Sequence, residues 1–141
     1  MFIMNIFEKV EKGATDVVFV YTICGSIDEA RSMGYSAIGE KLAISMDYWT
    51  IHSIYPWQSI IQEVDQYILM FSTEKSISYK LVKHIESEHS YEVPMIVVTD
   101  TDMTNVPYSL WMKDTLNSEE KYKTEEEAHP KKDINSLNDL K

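Results

Sequence analysis

The sequence predicts an α+β fold with the element order β-α-β-β-α-β and one further helix at the end. Three observations lead to this prediction. Apolar β-branched runs alternate with two segments whose apolar residues recur at helical spacing. Glycine, proline and serine separate these runs. The chain has 141 residues, 44% of them hydrophobic, which suits one domain with a real core.

The first strand and the first helix are the clearest elements. Asp16–Cys24 is an apolar, β-branched run typical of a buried strand, and Gly25 interrupts it. Ser26 and Glu29 then form the Ser-x-x-Glu pattern of a capping box. The following stripe of small apolar residues predicts a helix that packs closely on a sheet and ends near Ala43. Its members are Ala30, Met33, Gly34, Ala37 and Ile38.

A hairpin and a second helix come next. Ile44–Tyr55 is rich in β-branched and aromatic residues and predicts a long strand. Pro56 is expected to end this strand or to sit at a sheet edge, since it has no N–H to donate. Val64–Ser72 predicts its antiparallel neighbour. Thr73 is expected to cap a helix with apolar positions at Ile77, Leu81, Val82 and Ile85.

The last elements are a strand and a short helix. The second helix should stop before Pro94, because the residue ahead of proline disfavours helical geometry. Met95–Thr99 predicts the fourth strand, and Asn105-Val106-Pro107 opens the final helix with proline near its first turn. These boundaries give an N-terminal arm over residues 1–14 and a domain over residues 15–116. Residues 117–141 hold few apolar groups and are predicted to be a disordered acidic and polar tail.

The predicted order is that of the ferredoxin-like sandwich, in which two helices cover one face of a four-stranded antiparallel sheet. One chain supplies only a short extra helix for the opposite face. We therefore expect self-association to cover it.

Composition excludes several classes of function. The net charge of −10 argues against nucleic-acid binding, which needs a basic surface. No apolar run reaches the length of a membrane span. The N-terminal residues do not resemble a secretory signal, and the single cysteine, Cys24, suits a reducing compartment. We expect a cytoplasmic protein in which Cys24 is a small buried hydrophobe rather than a reactive thiol.

Three segments carry a resemblance to the CutA family. Residues 53–57 (SIYPW) resemble its Ser-hydrophobic-Tyr-x-Trp segment, and residues 89–94 (HSYEVP) its His-Pro-Tyr-Glu-Val-Pro signature. Residues 108–112 (YSLWM) resemble the start of its last helix. The resemblance implies a homotrimer related in fold to the PII signalling proteins, with clefts between subunits and a role in divalent-cation tolerance. The family's charged cleft positions differ here, and Ser90 replaces the proline of the signature.

The resemblance also implies a metal site. His89 matches the signature histidine, which the family associates with copper, and Glu92 follows three residues later. His84 and Glu88 lie at helical i, i+4 spacing, which lets two side chains reach one ion. Imidazole and carboxylate suit Cu²⁺ or another divalent cation, although a stable site needs further ligands. The alternative is that His89 forms hydrogen bonds near a loop and His84 is solvated.

A second candidate site is an aromatic cleft. The four aromatic residues of this predicted cleft are ones that the family pattern retains, and carboxylates such as Glu63 would supply polar contacts. The predicted cleft residues are Tyr55, Trp57, Glu63, Tyr91 and Trp111. The alternative places the aromatic residues in the subunit interface, where Tyr and Trp are enriched.

The sequence does not favour an enzyme, because it has no phosphate-binding glycine loop and no nucleophile elbow. We predict a trimeric module that binds a divalent cation or a small effector between subunits, and no cofactor needed for folding. The alternative is a structural or signalling adaptor, with an unidentified protein partner and no physiological metal.

Overall fold

The computed structural model describes residues 16–131, so the predicted arm over residues 1–14 lies outside the described part of the chain. One antiparallel sheet has the strand order β2-β3-β1-β4. Its strands are β1 Val17–Cys24, β2 Ser45–Trp57, β3 Ile60–Glu74 and β4 Ile96–Asp100. The helices are α1 Ile27–Gly39, α2 Ser78–Glu88, α3 Val106–Asn117 and α4 Glu125–Ala128. The predicted ferredoxin-like order is confirmed, and Pro56 lies on the edge strand β2.

Two predicted helix boundaries were wrong. Helix α1 ends at Gly39 rather than near Ala43, because Lys41 adopts a left-handed conformation with φ of 57° that breaks the helical geometry. Thr73 does not cap α2, since its hydroxyl donates to the Leu42 carbonyl at 2.7 Å. A single 3₁₀ turn, Lys75–Ile77, instead leads into α2.

Helices α1 and α2 cover one face of the sheet. The buried strand residues Val20, Leu69 and Phe71 pack there against side chains from both helices. The helix contribution is Ala30, Met33, Ala37, Leu81 and Ile85. Gly34 of α1 faces Met46 of β2, and a Cβ atom at that position would displace the methyl group of Met46. The stripe of small residues therefore has the packing role predicted for it.

The opposite face, here called the open face, is largely uncovered within one chain. Alternation along β1 places Tyr21 and Ile23 on it, opposite to Val20 and Cys24. The strand register adds apolar neighbours from the other three strands, namely Trp49, Ile68, Met70 and Val97. Helix α3 covers only the end near Val17, where Met112 and Leu116 are buried.

The β2–β3 hairpin extends well past the sheet. β1 pairs with β3 only from Tyr67 to Glu74, so residues 60–66 of β3 pair with β2 alone. This projecting part, the hairpin arm, is roughly 20 Å long at the rise of an extended strand. Large apolar side chains are exposed on it, namely Ile54, Tyr55, Trp57, Ile60 and Ile61. A two-stranded ribbon of this kind is only marginally stable in water.

The C-terminal segment predicted to be disordered is described as far as Lys131, and residues 119–131 are all exposed. It contains the short helix α4, whose first turn is capped by the Thr124 hydroxyl. Tyr122 lies against the Lys41 ammonium group, 4.1 Å from Nζ to the ring centroid. The exposure agrees with the lack of apolar residues, while disorder of this segment stays a prediction. No helix within residues 16–131 is long and apolar enough to cross a membrane.

Candidate functional site

His89 follows the last residue of α2, and its side chain is 0% exposed. Its Nε2 lies 2.8 Å from the Ile23 carbonyl oxygen, and its Nδ1 accepts a hydrogen bond from the Tyr91 amide at 3.1 Å. The network therefore assigns a neutral ring with its proton on Nε2. Both nitrogens are used by the backbone, and this histidine joins the end of β1 to the loop before β4.

Glu29 holds the same loop from the other side. Its carboxylate accepts hydrogen bonds from the Ser90 amide at 2.9 Å and from the Ser90 hydroxyl at 2.8 Å. A proline at position 90 would supply neither donor, so Glu29 satisfies the two groups that distinguish this chain from the family signature. Only half of the predicted capping box forms as a result. Ser26 Oγ accepts from the Glu29 amide at 3.2 Å, while the Glu29 carboxylate binds Ser90.

Tyr91 lies over the chain between β1 and α1. Its ring packs on His89 with centroids 5.0 Å apart, and a Cβ atom on Gly25 would lie 3.2 Å from its hydroxyl. Burial raises the pKa of Tyr91. Repulsion from the negatively charged forms of Tyr55, Cys24 and Glu29 raises it further.

Cys24 is buried at the end of β1, where its thiol donates to the Ser26 carbonyl oxygen at 3.4 Å. Burial raises the pKa of the Cys24 thiol to about 11, opposed by the hydrogen bond to Ser26 and reinforced by the Glu29 carboxylate. At neutral pH the group is therefore a neutral thiol. The position is that of a small buried hydrophobe, as predicted.

The other predicted cleft residues are dispersed within one chain. Glu63 lies on the helix-side face of the hairpin arm, opposite Ile54, whereas Tyr55 and Trp57 lie on the other face. Trp111 is exposed on α3 and packs on Tyr108, with ring centroids 5.7 Å apart. Because α3 covers the Val17 end of β1, Trp111 lies at the opposite end of the strand from Tyr91. A single chain does not gather these side chains into one cleft.

The predicted metal ligands are also separated. His84 faces α1, where its Nε2 lies 2.8 Å from Ser36 Oγ and 3.3 Å from Glu88 Oε1. Glu92 is exposed in the loop before β4. Within residues 16–131, no group of three or more His, Cys, Asp or Glu side chains is placed to hold a metal ion. The predicted site formed by His89, Glu92 and His84 stays a prediction. The two histidines have different hydrogen-bond partners, because His84 contacts Ser36 and His89 contacts the backbone of Ile23 and Tyr91.

The sequence did not indicate which hydrogen-bond partners come from distant parts of the chain. Ser36 meets His84 from a different helix, and Gln66 donates to the Tyr55 hydroxyl at 3.4 Å across the hairpin. The i, i+4 spacing of His84 and Glu88 was a usable signal. Nothing in the local sequence indicates Ser36, which is 48 positions away from His84.

Comparisons with known proteins identify the family of this chain. The family of the CutA1 divalent ion tolerance protein matches residues 18–115. The divalent-cation tolerance protein CutA of Thermococcus kodakarensis is 30% identical over 101 residues, which are 72% of this chain and 97% of that protein. The chloroplastic protein CutA 1 of Oryza sativa is 26% identical over 110 residues, covering 76% of this chain and 62% of that protein. This chain thus spans about six-tenths of the length of that and of the bovine relative.

Solved structures agree with the fold. CutA from Synechococcus elongatus superposes with a TM-score of 0.72 at 24% identity, over 74% of this chain and 94% of that one. CutA1 from Oryza sativa gives a TM-score of 0.68 at 25% identity, over 75% and 97% of the two chains. The family match over residues 18–115 contains the sheet except for Val17, together with α1, α2, the His89 loop and most of α3. The chain belongs to the CutA1 divalent ion tolerance protein family.

Proposed function

We propose that this chain is a non-catalytic, self-assembling module that contributes to divalent-cation tolerance by binding a divalent cation as a homotrimer. The observation that carries the proposal is the open face. Tyr21, Ile68 and Val97 form an apolar surface on it across three strands. Contiguous apolar side chains left uncovered on a sheet face mark association sites.

The hairpin arm supports the same proposal. Its exposed isoleucine and aromatic side chains lie beyond the sheet, where no other described element of the chain covers them. A second copy would bury them and bring its own loops close to Tyr55 and Trp57. Clefts between copies would then contain residues that one chain leaves dispersed, such as Trp111 and Tyr91.

The divalent cation is proposed from the family and from the chemistry of the chain. The archaeal relative is named a divalent-cation tolerance protein. The net charge of −10 favours cations over anions in the field around the protein. The thiol of Cys24 is not a nucleophile at neutral pH, because burial raises its pKa to about 11.

An adaptor is the second candidate. It is favoured by the occupied nitrogens of His89, since a ring that joins β1 to a loop has a structural role without any metal. Native mass spectrometry separates the two candidates. Protein without added metal is measured first and then titrated with Cu²⁺ and Zn²⁺. Saturable uptake of one ion per chain supports the binding module, and indiscriminate uptake supports the adaptor.

Assembly is tested by two variants of adjacent residues in β4. Val97 is 46% exposed on the open face, and Val98 is 43% exposed on the helix-side face. We expect Val97→Glu to shift the mass measured by light scattering from trimer towards monomer, because it places a charge in the buried interface. Val98→Glu is the matched control and should stay trimeric. A wild-type monomer, or a trimeric Val97→Glu protein, would contradict this assembly.

A further inference from the structure

The seam between α1 and α2 brings three polar side chains to one point. Ser36 of α1 donates a hydrogen bond to Glu88 Oε1 at 2.6 Å and lies 2.8 Å from His84 Nε2. His84 and Glu88 come from adjacent turns of α2, and their Nε2 and Oε1 atoms are 3.3 Å apart. Their side chains are 22% and 33% exposed, so packing restricts them while solvent still reaches them.

We propose that His84 and Glu88 form the divalent-cation site of this chain, with Ser36 as the neighbouring hydroxyl. This inference rests on the proposed function and assigns its location. Two ligands bound to one Cu²⁺ or Zn²⁺ ion at about 2.0–2.2 Å are separated by roughly 3 Å. The 3.3 Å separation of His84 Nε2 and Glu88 Oε1 is close to that value, and a bound ion would replace the hydrogen bonds that Ser36 makes with both atoms.

The donor set selects the class of ion. One imidazole nitrogen with carboxylate and hydroxyl oxygens suits Cu²⁺ and Zn²⁺, and Cu²⁺ is the stronger binder at such a site. Hard cations such as Mg²⁺ prefer oxygen ligands alone. Two strong protein ligands leave the remaining positions to water, so the ion should exchange readily.

The other described histidine sites fit a cation less well. His89 uses both ring nitrogens for backbone hydrogen bonds and has no solvent-exposed side-chain surface. His52 pairs with Asp65 at 2.5 Å on the hairpin arm, but the two side chains are 82% and 72% exposed. No packing fixes their rotamers, and ordering them would cost conformational entropy. Of these three sites, the seam is the one that combines convergent donor atoms with restricted side chains.

The test measures Cu²⁺ binding to the full chain by calorimetry, with electron paramagnetic resonance as the second readout. We expect His84→Ala and Glu88→Gln each to weaken Cu²⁺ binding at least 10-fold. His52→Ala removes a matched histidine–carboxylate pair and should change the affinity less than twofold. The spectrum of the wild-type protein should show coupling to one imidazole nitrogen, and His84→Ala should remove it.

The possible outcomes distinguish a wrong assignment of the site from a failure of the proposed binding function. If the wild type binds Cu²⁺ and both seam variants bind it equally well, the seam assignment is wrong and the proposed function stands. If the wild type takes up no Cu²⁺ in a saturable way, the binding function fails together with the site. Circular dichroism checks that each variant folds, and Glu88→Gln provides a test if His84→Ala does not.

Discussion

Thr22 and Thr73 are two buried threonines on the helix-side face of the sheet, and they differ in what their hydroxyls contact. Thr73 donates to the Leu42 carbonyl at 2.7 Å. Thr22 Oγ1 is buried without a hydrogen-bond partner in the described part of the chain. A buried hydroxyl without a partner lowers stability, because it gives up its hydrogen bonds to water.

Replacing each threonine by valine should therefore change the free energy of unfolding in opposite directions. Thr22→Val should raise the free energy of unfolding by about 1 kcal/mol, since it removes an unpaired polar group at nearly constant volume. Thr73→Val should lower it by about 1–2 kcal/mol, because the Leu42 carbonyl loses its donor. Urea unfolding at a fixed protein concentration measures both. A stability loss in Thr22→Val would mean that its hydroxyl has a partner after all.

Cys24 predicts a pH dependence in the alkaline range. Its folded pKa of about 11 lies above the ordinary value of 9.0, so the native state holds this proton more tightly than the unfolded state. The resulting stabilisation is complete below pH 9 and is lost as the pH rises from about 9 to 11. We expect the free energy of unfolding to fall less steeply over this window in Cys24→Ala than in the wild type. Equal slopes in the two proteins would show that the thiol titrates normally.

At the scale of the elements, the turn of the hairpin arm has a backbone conformation that its two residues do not favour. Gln58 and Ser59 connect β2 to β3, and both have left-handed backbones, with φ of 49° and 66°. A two-residue hairpin turn of type I′ requires this geometry and favours Asn-Gly, because side chains other than glycine and asparagine are strained there. The sequence therefore retains a strained turn at the tip of an exposed arm, where strain often marks a functional contact.

Replacing one residue should relieve this strain. Ser59→Gly is expected to raise the free energy of unfolding by about 1 kcal/mol, because glycine adopts positive φ without a steric penalty. Ser53→Gly is the control within the same hairpin, in the middle of β2 opposite Val64. It should lower stability by about 1 kcal/mol, since glycine in a strand loses more conformational freedom. Thermal unfolding of both variants at one concentration distinguishes the two effects.

At the scale of the whole molecule, the C-terminal boundary of the domain can be tested by truncation. Leu116 is buried against Val17, whereas every residue from Glu119 to Lys131 is exposed. A chain ending at Asn117 should keep its oligomeric mass and lose no more than about 1 kcal/mol, the contribution of an exposed contact such as Lys41 with Tyr122.

The control is a chain ending at Asp114, which also lacks Thr115, Leu116 and Asn117. It should be less stable by at least about 2 kcal/mol, because it exposes apolar surface around Val17 and removes the Thr115 carbonyl that accepts from Lys41. Differential scanning calorimetry and light scattering measure both chains. A marked loss of assembly on removing residues 118–141 alone would show that the tail belongs to the folded unit.

The sequence by itself determined the order of the elements. Apolar β-branched and aromatic runs predicted the four strands, helical periodicity predicted two helices, and the proline at position 107 indicated the third. It also limited Pro56 to a strand end or a sheet edge, and it put His84 and Glu88 on one helix face, since both conclusions follow from local geometry. The signature residues around His89 indicated the family that residues 18–115 confirm.

Only the tertiary structure decided which distant groups meet. Glu29 binds Ser90, 61 positions away, rather than completing its capping box, and Ser36 joins His84 across two helices. The length of the hairpin arm and the uncovered extent of the open face likewise depend on how far β1 pairs with β3. Local propensity carries no information on such contacts, because they form between elements that only the folded core brings together.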